Sequence, residues 1–471
     1  MVRRTPLTLP TLLLCVSACA PSDDPAEPPT PAPTAFRSSE LGLIAPDGRQ
    51  VLLRGVNARV EGLFDVTFDD GRQALEEIPP FTGDDCRVLA ELGLNLLRLP
   101  VNWSAIEPER GAYDADYADR ILDLVAACHN VGVYTLVDLH QDAYSKHIGE
   151  DGAPLWAIVP PPDELLEGPL DDLADRRASL QVLRSFRNFF DDTDGVQGAF
   201  ADMAGWLAGR IAGNPGVVGL ELFNEPVAFD DEALDAFHRR VGAAARAAAS
   251  DLPLAFEPDA LRNFTDSDPV AVARPFTNAI YAPHHYTDVF GDGWASGDVA
   301  SLRASVAGIA DEARRHGAHA LVGEFGHDLD APNGALWLQE SLAAYDEHRL
   351  SWAMWLYEEW SQDAWGLYDF TDPGTGPERA GLREPMADLL ARPFPQAVDG
   401  SLLSTAWDPL TLTLTVEFEG GGTHTLSAPL RVWPEGPVAR CDGEVVEAPP
   451  AGAGRVDVDC DGSQLQLQPP D

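Results

Sequence analysis

The sequence predicts an α/β protein, a (β/α)8 TIM barrel followed by a small antiparallel β-sandwich domain. From Val51 to about Phe394, short apolar or β-branched runs alternate with longer helical patterns, which is typical of βα units around a parallel sheet. Beyond that point the pattern changes to short strands in which apolar and polar residues alternate. With 471 residues, of which 45% are hydrophobic, the chain is long enough for one large core and one appended module.

Eight runs predict strands, a count that matches a closed barrel of ordinary size. In chain order they are VLLRGVN from Val51, LNLLRLPVNW from Leu94, VYTLVDLH from Val133, VVGLELFNE from Val217, LAFEP from Leu254, AIYAPHHY from Ala279, ALVGEFG from Ala320 and SWAMWLYE from Ser351. Helical patterns lie between them. In DYADRILDLVAACHN and DEALDAFHRRVGAAARAAAS the apolar residues recur at helical spacing.

One connection is much longer than the others. Residues 143–188 are rich in proline, aspartate and glycine and include the run APLWAIVPPP. A connection of this length in a compact barrel is usually a functional loop. We therefore expect a lid beside the third strand.

The C-terminal part begins after Arg392-Pro393-Phe394-Pro395. Four runs there, TLTLTVEFE, THTLSAPLRVW, RVDVDC and QLQLQ, predict an antiparallel sheet. We therefore place the barrel domain at residues 39–396 and the β-sandwich domain at residues 397–471.

Residues 1–19 have the anatomy of an export signal. Arg3 and Arg4 precede the apolar run LTLPTLLLCVSACA, which is too short to span a bilayer. Val16-Ser17-Ala18-Cys19 resembles a bacterial lipobox, in which the cysteine is lipidated; the alternative is ordinary signal cleavage. Residues 20–38, rich in proline and acidic residues, predict an extended tether. We expect an exported protein, either a cell-envelope lipoprotein held at the membrane by a lipid anchor or a secreted protein.

Four cysteines remain in the body of the chain, an even number that suits an oxidising compartment. Cys441 and Cys460 both lie in the small C-terminal module, and we favour a disulfide between them. Cys86 and Cys128 fall on two successive predicted helices. For that pair a disulfide and two buried thiols remain open alternatives.

The charge balance excludes one class of partner. The chain has 76 acidic and 32 basic residues, a formal net charge of -44, which repels nucleic acid and anionic lipid surfaces. A solvated acidic surface that favours solubility or salt tolerance is the simplest explanation. The cysteine spacing is not that of a zinc site. We expect no nucleic acid, no cofactor and no metal, and a monomer.

Two glutamates end apolar runs that otherwise predict buried strands. Glu225 follows LELFN at the fourth strand, and Glu324 follows LVG at the seventh. An acid in such a place is costly unless it has partners or a task, and strand ends four and seven lie across the mouth of a barrel. Paired carboxylates on opposite sides of one bond are what glycoside hydrolysis requires. Arg98, at the end of the second strand, is a plausible partner for the Glu324 carboxylate.

The motifs LRLP, DLHQD, FNEP, APHHY, GEFG and WLYE stand at the ends of successive predicted strands. This set resembles glycoside hydrolase family 5, a family of retaining (β/α)8 glycosidases, from about Val51 to Phe394. The resemblance implies specific roles for individual residues. These are Glu225 as acid/base, Glu324 as nucleophile, Asn224 as donor to the sugar 2-hydroxyl, His140, His284 and Tyr286 as subsite residues, and Trp355 as sugar-stacking platform. His285 leaves the choice between the two histidines open, although the spacing to Tyr286 favours His284.

Within that family, other segments are similar to endoglycoceramidases, which cut the bond between an oligosaccharide and ceramide. They are DLHQDAYS, GAPLWA, NFFDDTDGVQGAF and RPFPQAV. The resemblance implies that Asp142 binds the sugar next to the cleaved bond and that the lid and terminal domain provide an apolar groove. A family 5 glucanase or β-glucosidase is the alternative. A non-catalytic carbohydrate-binding lipoprotein is disfavoured because both carboxylates are present.

Several other residues have more than one interpretation. Glu257, at the end of the fifth predicted strand, is kept as a candidate substrate contact. His140, Asp142 and His147 do not make a convincing metal site, because they lie on a strand end and a loop with no further strong ligand nearby. Four tryptophans either stack on sugar or belong to the core: Trp103, Trp156, Trp360 and Trp365.

Overall fold

The computed structural model describes residues 35–39, 41–266, 275–290, 293–360, 365–372 and 378–470. Cys19, the predicted export signal and most of the predicted tether lie outside these residues. None of the helices in the described part of the chain is both long enough and apolar enough to cross a bilayer.

Eight parallel strands close into a barrel, which confirms the predicted fold class. Each strand pairs with the next in chain order, and the last pairs with the first. The strands are β1 Arg54–Asn57, β2 Leu96–Asn102, β3 Tyr134–His140, β4 Val217–Glu221, β5 Leu254–Phe256, β6 Ala279–Tyr281, β7 His319–Val322 and β8 Ser351–Met354. All eight runs predicted from the sequence contribute one strand each.

The described helices are α1 Gly83–Glu91, α2 Trp103–Ile106, α3 Ala115–His129, α4 Leu173–Arg177, α5 Leu180–Phe190, α6 Val196–Ile211, α7 Asp231–Ala248, α8 Arg262–Thr265, α9 Val299–His316, α10 Gly334–His348 and α11 Glu384–Leu390. Short 3-10 turns span Leu155–Ala157 and Thr193–Gly195. The predicted lid is less irregular than expected, because it contains α4 and most of α5. Helix α5 forms since Val182, Phe186 and Phe189 recur at helical spacing and are buried together.

The barrel interior is divided into an apolar layer and a charged layer. Leu96 and Leu136 belong to an apolar cluster to which β2 through β8 contribute, with Phe36 and Leu43 packed into it. Arg98 and Asp138 lie two residues further along the same strands and face the same side, because side chains alternate along a strand. The charged side chains are therefore collected at the carboxyl ends of the strands, where barrel enzymes build their sites.

The C-terminal part contains two antiparallel sheets. One has the order Arg37–Ser39, Gly42–Ile44, Gln50–Val51, Pro395–Val398, Gly422–Ser427, Arg455–Cys460 and Pro450–Gly452; the other has the order Ser401–Asp408, Thr413–Glu419, Gln464–Gln468, Val438–Cys441 and Glu444–Val446. A separate hairpin joins Tyr368–Thr371 to Glu378–Leu382. Leu414 and Val416 of the second sheet pack with Leu426 and Val458 of the first.

The first strands of the described chain pair with the C-terminal sheet. Val51 lies opposite Ala397, so the strands Arg37–Ser39, Gly42–Ile44 and Gln50–Val51 complete a sheet of the other domain. The sequence analysis placed residues 37 and 38 in the tether and residues 39–51 in the barrel domain. Local sequence pattern does not reveal such a pairing, because its partners are more than 300 residues apart.

Both candidate cysteine pairs are disulfides in the structure. Cys86 of α1 is bonded to Cys128 of α3, so the disulfide and not the pair of buried thiols is present there. Cys441 is bonded to Cys460, and this bond joins the two sheets of the C-terminal part.

Gly55 permits the close approach of β1 and β2. A Cβ atom at this position would lie 1.7 Å from the backbone oxygen of Leu96. We expect Gly55→Ala to lower the free energy of unfolding by roughly 3 kcal/mol or more, because the strands must separate to admit the methyl group. Urea unfolding followed by circular dichroism measures the change. In the matched control Gly308→Ala, on α9, an added Cβ atom would lie 4.0 Å from Oε1 of Glu312, and stability should be equal or higher. Equal stability of the two variants would contradict this account.

Candidate active site

Arg98 is the centre of the charged layer. Its side chain is fully buried and points from β2 towards the carboxyl ends of the neighbouring strands. Nε and Nη2 form a fork with Oε2 and Oε1 of Glu221, at 2.8 and 3.0 Å. The remaining contacts are Nη1 to Asn57 Oδ1 at 2.9 Å, Nη1 to Glu324 Oε1 at 2.8 Å, Nη2 to Asn224 Oδ1 at 2.8 Å, Nη2 to Asp138 Oδ2 at 3.1 Å and Nη2 to Glu257 Oε1 at 3.6 Å.

Glu324, the predicted nucleophile, follows β7 and is held through both carboxylate oxygens. Arg98 donates to Oε1 at 2.8 Å, as the sequence suggested, and the Tyr286 hydroxyl donates to Oε2 at 3.0 Å. Nδ1 of His284 lies 3.5 Å from Oε2. These contacts fix the orientation of the Glu324 carboxylate through both of its oxygens.

Glu225, the predicted acid/base, follows β4 in a left-handed backbone conformation with φ of 42°. Such a conformation is costly for a residue other than glycine and is common at functional sites. Oε1 of Glu225 accepts hydrogen bonds from Asn263 Nδ2 at 3.0 Å and from His284 Nδ1 at 2.9 Å. Carboxylate oxygens of Glu225 and Glu324 lie within 4.8 Å of one another. The two carboxylates thus reach a common atom, as expected from strands four and seven.

The ionisation of Glu225 differs from the expectation for a proton donor. Burial alone would raise its pKa, but the hydrogen bond and charge of His284, the charge of Arg177 and the hydrogen bond of Asn263 lower the pKa to about 2. The substrate-free site therefore holds Glu225 as the carboxylate. A general acid needs a pKa near the operating pH, whereas the donors that tertiary contacts bring to the Glu225 carboxylate lower its pKa in this state.

Glu257 lies beneath the site and does not face the cleft. Burial, followed by the charge of Glu221, raises the pKa of Glu257 well above its ordinary value. Its Oε1 atom accepts a hydrogen bond from the backbone N–H of Glu225 at 3.2 Å and lies 3.4 Å from His284 Nε2. The candidate role as a substrate contact is wrong, because the side chain is fully buried.

Asn224 is anchored at both ends of its amide. Oδ1 accepts from Arg98 Nη2, and Nδ2 donates to the backbone oxygen of Gln141 at 3.0 Å. An amide nitrogen carries two hydrogens, so a second donor remains for a sugar hydroxyl. Gln141 in turn donates from Nε2 to the backbone oxygens of Asn224 at 2.8 Å and Glu225 at 3.2 Å. The segment carrying both predicted residues is therefore tied to the end of β3.

His140 and Trp355 form the opposite wall. Nδ1 of His140 lies 2.6 Å from Asp138 Oδ2, and the ring lies parallel to Trp355 with centroids 5.8 Å apart. Burial lowers the pKa of His140, but the charges of Asp138 and Asp151 outweigh it and raise the pKa to about 9. His140 thus adds a positive charge beside Trp355, whose role as a sugar-stacking platform stays a prediction.

Asp142 is paired in the substrate-free structure. Nε of Arg177, on α4 of the lid, donates to Asp142 Oδ1 at 2.7 Å, and a second nitrogen contacts Oδ2. The lid therefore reaches the residue predicted to bind the sugar next to the cleaved bond. Nδ1 of the nearby His147 is occupied by Arg72 at 2.9 Å.

The structure separates the two consecutive histidines. His284 contacts Glu225, Glu257 and Glu324, whereas Nδ1 of His285 lies 2.7 Å from the Tyr345 hydroxyl in the core. Burial, followed by the charge of Arg262, lowers the pKa of His285 to about 3. His284 is therefore the histidine of the site.

The four tryptophans divide into core and cleft residues. Trp103 is buried and packs against Trp156, with centroids 5.2 Å apart. Trp365 lies 6.2 Å from the ring of Tyr286, and Trp360 is 38% exposed at the edge of a large cavity.

Six residues of this arrangement were missed by sequence reasoning: Asn57, Asp138, Gln141, Glu221, Asn263 and Arg177. Some had a usable signal. Asp138 precedes His140 by two residues on a strand, so the two share a face. Glu221 is an acid in the last position of an otherwise apolar strand. Asn263 and Arg177 lie on short helices, and no local pattern directs them to the site.

An eight-stranded parallel barrel with paired carboxylates at the ends of strands four and seven defines the protein as a glycoside hydrolase. The chain belongs to glycosyl hydrolase family 5, since residues 74–361 match the family model described as cellulase (glycosyl hydrolase family 5).

Individual relatives are similar along most of their length. Endoglycoceramidase I of Rhodococcus hoagii is 28% identical over 93% of this chain and 88% of its own. An endoglycoceramidase of Cyanea nozakii is 25% identical over 72% of each chain. Among solved structures, an endogalactoceramidase matches with a TM-score of 0.76 and 26% identity. The match covers 92% of this chain and 99% of the endogalactoceramidase chain. Endo-glycoceramidase II from Rhodococcus sp., in complex with a cellobiose-like imidazole, matches with a TM-score of 0.74 and 25% identity, covering 91% and 100%.

Tyr286 is the most direct test of the site geometry. We expect Tyr286→Phe to lower kcat for an aryl β-glycoside by about 10- to 100-fold, because a hydrogen bond to a charged group is lost while the ring remains. Circular dichroism should be unchanged. Tyr345→Phe is the matched control, since its hydroxyl contacts His285 and not a site carboxylate, and it should change stability but not kcat. An equal loss of kcat in both variants would contradict the assignment.

Proposed function

We propose that the protein is a retaining endo-β-glycosidase that hydrolyses the bond between glycan and ceramide in glycosphingolipids. The observation that carries this proposal is an exposed aromatic surface next to Tyr286, the tyrosine whose hydroxyl donates a hydrogen bond to Glu324. The names of the relatives support the same substrate class, because two endoglycoceramidases align with most of this chain.

The spacing of the carboxylates supports retention of configuration. Retaining glycosidases hold the two carboxyl groups roughly 5 to 5.5 Å apart, whereas inverting ones leave roughly 6.5 to 9.5 Å for a water molecule. One carboxylate oxygen of Glu225 lies within 4.8 Å of one of Glu324, which is compatible with the shorter spacing. Glu324 attacks the anomeric carbon while Glu225 protonates the leaving oxygen, and Glu225 then removes a proton from the water that releases the sugar.

The ionised state of Glu225 matches the second of these steps. A pKa of about 2 keeps the Glu225 carboxylate ionised, as a general base requires, whereas the first step requires Glu225 in its protonated form. Because His284 contacts Glu225 at 2.9 Å and Glu324 at 3.5 Å through the same nitrogen, movement of this ring redistributes its hydrogen bond between the two carboxylates. Substrates with leaving groups that need protonation should therefore depend more strongly on acidic pH.

Substitution of the carboxylates tests the mechanism. We expect Glu324→Gln to lower kcat by about 1,000-fold or more for every β-glycoside, because the nucleophile is lost. Glu225→Gln should be severe for poor leaving groups and milder for nitrophenyl leaving groups, which need no proton. Proton NMR of the wild type should detect the β-anomer as the first sugar released. A first-formed α-anomer, or near-native kcat for Glu324→Gln, would overturn the proposed mechanism.

The aromatic surface extends outwards from Tyr286. Phe290 lies 5.4 Å from the Tyr286 ring and stacks on Trp365 at 5.9 Å, and Phe264 lies 5.7 Å from Phe290. Phe290 is 58% exposed and Phe264 40% exposed. Contiguous exposed apolar side chains beside a catalytic cleft are typical of a binding surface. Its apolar chemistry fits an acyl or sphingoid chain better than a further sugar, which favours a glycolipid over the alternative, a glucan.

A substrate comparison tests this assignment. We expect lactosylceramide to be cleaved to lactose and ceramide, and to be a better substrate than cello-oligosaccharides. Phe290→Ser should lower kcat/KM for lactosylceramide about 10-fold while leaving an aryl lactoside unaffected, because only the ceramide needs the apolar contact. Leu410→Ser is the matched control, because Leu410 is 93% exposed in the turn between the strands Ser401–Asp408 and Thr413–Glu419. It should change kcat/KM for neither substrate. Cleavage of cello-oligosaccharides but not of lactosylceramide would favour the glucanase alternative.

A further inference from the structure

A large cavity lies next to His140 of the site, and one of its lining residues, Phe64, contacts this histidine. Its volume is about 1060 Å³, at the upper end of the roughly 300 to 1,000 Å³ of ligand pockets. Phe64 lines it and packs against His140 with centroids 5.8 Å apart. His140 in turn lies parallel to Trp355, the predicted sugar platform, so Phe64 links the wall of the cavity to the predicted sugar side of the site. Trp360, 38% exposed, stands at its edge.

The walls of this cavity are held by buried contacts. The Arg59 side chain is 2% exposed, and its Nη2 donates to Glu76 Oε2 at 2.9 Å and contacts Glu359 Oε1 at 2.7 Å. Glu76 belongs to the segment between β1 and α1, and Glu359 lies directly before Trp360. One buried cation thus fixes two loops that flank the cavity, so the cavity is a preformed part of the fold.

A second set of contacts fixes Asp65 and Lys146, which also line the cavity. The backbone N–H of Asp65 donates to Asn102 Oδ1 at 2.6 Å, and Lys146 Nζ contacts Asp65 Oδ1 at 2.6 Å. Lys146, the one lysine in the sequence, is therefore already paired with a carboxylate. It does not supply an uncompensated positive charge to an incoming ligand.

The lining is strongly acidic. Two of the lining residues are cations, Lys146 and Arg120, and six are acids. The acids are Glu61, Asp65, Asp69, Glu76, Glu77 and Asp114. Glu61, Asp69 and Glu77 are exposed. A neighbouring cavity of about 530 Å³ shares Glu61, Glu77 and Trp360 and adds Asp84, Asp85 and Glu358 against Arg379. A concave surface lined by one sign of charge focuses the field and repels anions of that sign.

We infer that this cavity receives the sugars beyond the one next to the cleaved bond, and that it selects neutral or amino-substituted glycans over sialylated or sulfated ones. Sugar hydroxyls donate hydrogen bonds to carboxylates, and a protonated amine adds a charge of opposite sign. A sialic acid or sulfate instead places a fixed negative charge among carboxylates. This inference rests on the proposed function in one respect, namely that the glycan and not the lipid part of the substrate lies on the side of the cavity.

Two soluble substrates test the selection without involving ceramide: nitrophenyl β-lactoside and its 3′-sialylated derivative. At low ionic strength we expect kcat/KM for the neutral substrate to exceed that of the sialylated one about 10-fold or more. Raising the salt to about 0.5 M should raise kcat/KM for the sialylated substrate and leave the neutral one nearly constant, because exposed charges are screened. Cleavage of these substrates with no action on lactosylceramide would refute the ceramide assignment and leave this inference standing.

Charge-neutralising variants locate the effect in the cavity. Glu61→Gln combined with Glu77→Gln should reduce the preference for the neutral substrate by at least about 3-fold. We expect kcat/KM for the sialylated substrate to rise, whereas kcat/KM for the neutral substrate should stay level or fall because charged acceptors for its hydroxyls are lost. Glu435→Gln combined with Glu447→Gln removes the same charge from the C-terminal sheets and should change neither substrate. Equal kcat/KM for the two substrates at low salt, or an equal response to both double variants, would overturn the inference.

Discussion

The buried guanidinium of Arg98 is the interaction on which the site depends. Four carboxylates lie against it, those of Asp138, Glu221, Glu257 and Glu324. Burying so many acids would be prohibitive without a cation, and removal of one partner from a buried ion pair typically costs about 3 to 5 kcal/mol. Arginine suits this position because its planar fork donates in several directions at once. A lysine would supply the charge but not the simultaneous bonds to Glu221, Asn224 and Glu324.

One cation does not neutralise four acids, and the pKa values of the glutamates respond to their surroundings. Burial and the charge of Glu221 raise the pKa of Glu257 well above its ordinary value. The pKa of Glu225 moves the other way, since His284, Arg177 and Asn263 lower it to about 2. Two glutamates at the ends of adjacent strands thus have pKa values shifted in opposite directions by their neighbours.

The barrel was predictable because its signals are local. Eight apolar runs separated by helical patterns determine the strand count, and polar residues at the run ends identify Glu225, Glu324 and Arg98 as neighbours. The pKa of Glu225 was not predictable, since it depends on Asn263 and on a lid helix that no motif directs to the site. The sheet position of residues 37–51 was missed for the same reason, because their partners lie at the far end of the chain. Local pattern reveals which side chains meet at one end of a barrel, but not which donors approach them from the loops.

The cleft between the two walls is amphipathic along its length. Phe264, Phe290 and Trp365 lie next to Tyr286, and the acidic cavity lies next to Phe64 and His140, where the inference above places the glycan. A uniform polysaccharide carries sugars on both sides of the cleaved bond, so an apolar surface on one side of the cleft gives it no additional favourable contacts. A substrate with a polar glycan on one side of the cleaved bond and a hydrocarbon on the other gains contacts in only one orientation. In the proposed mechanism this orientation presents the glycosidic oxygen to Glu225 and the anomeric carbon to Glu324, so we expect the polarity of the walls to align such a substrate with the fixed carboxylates.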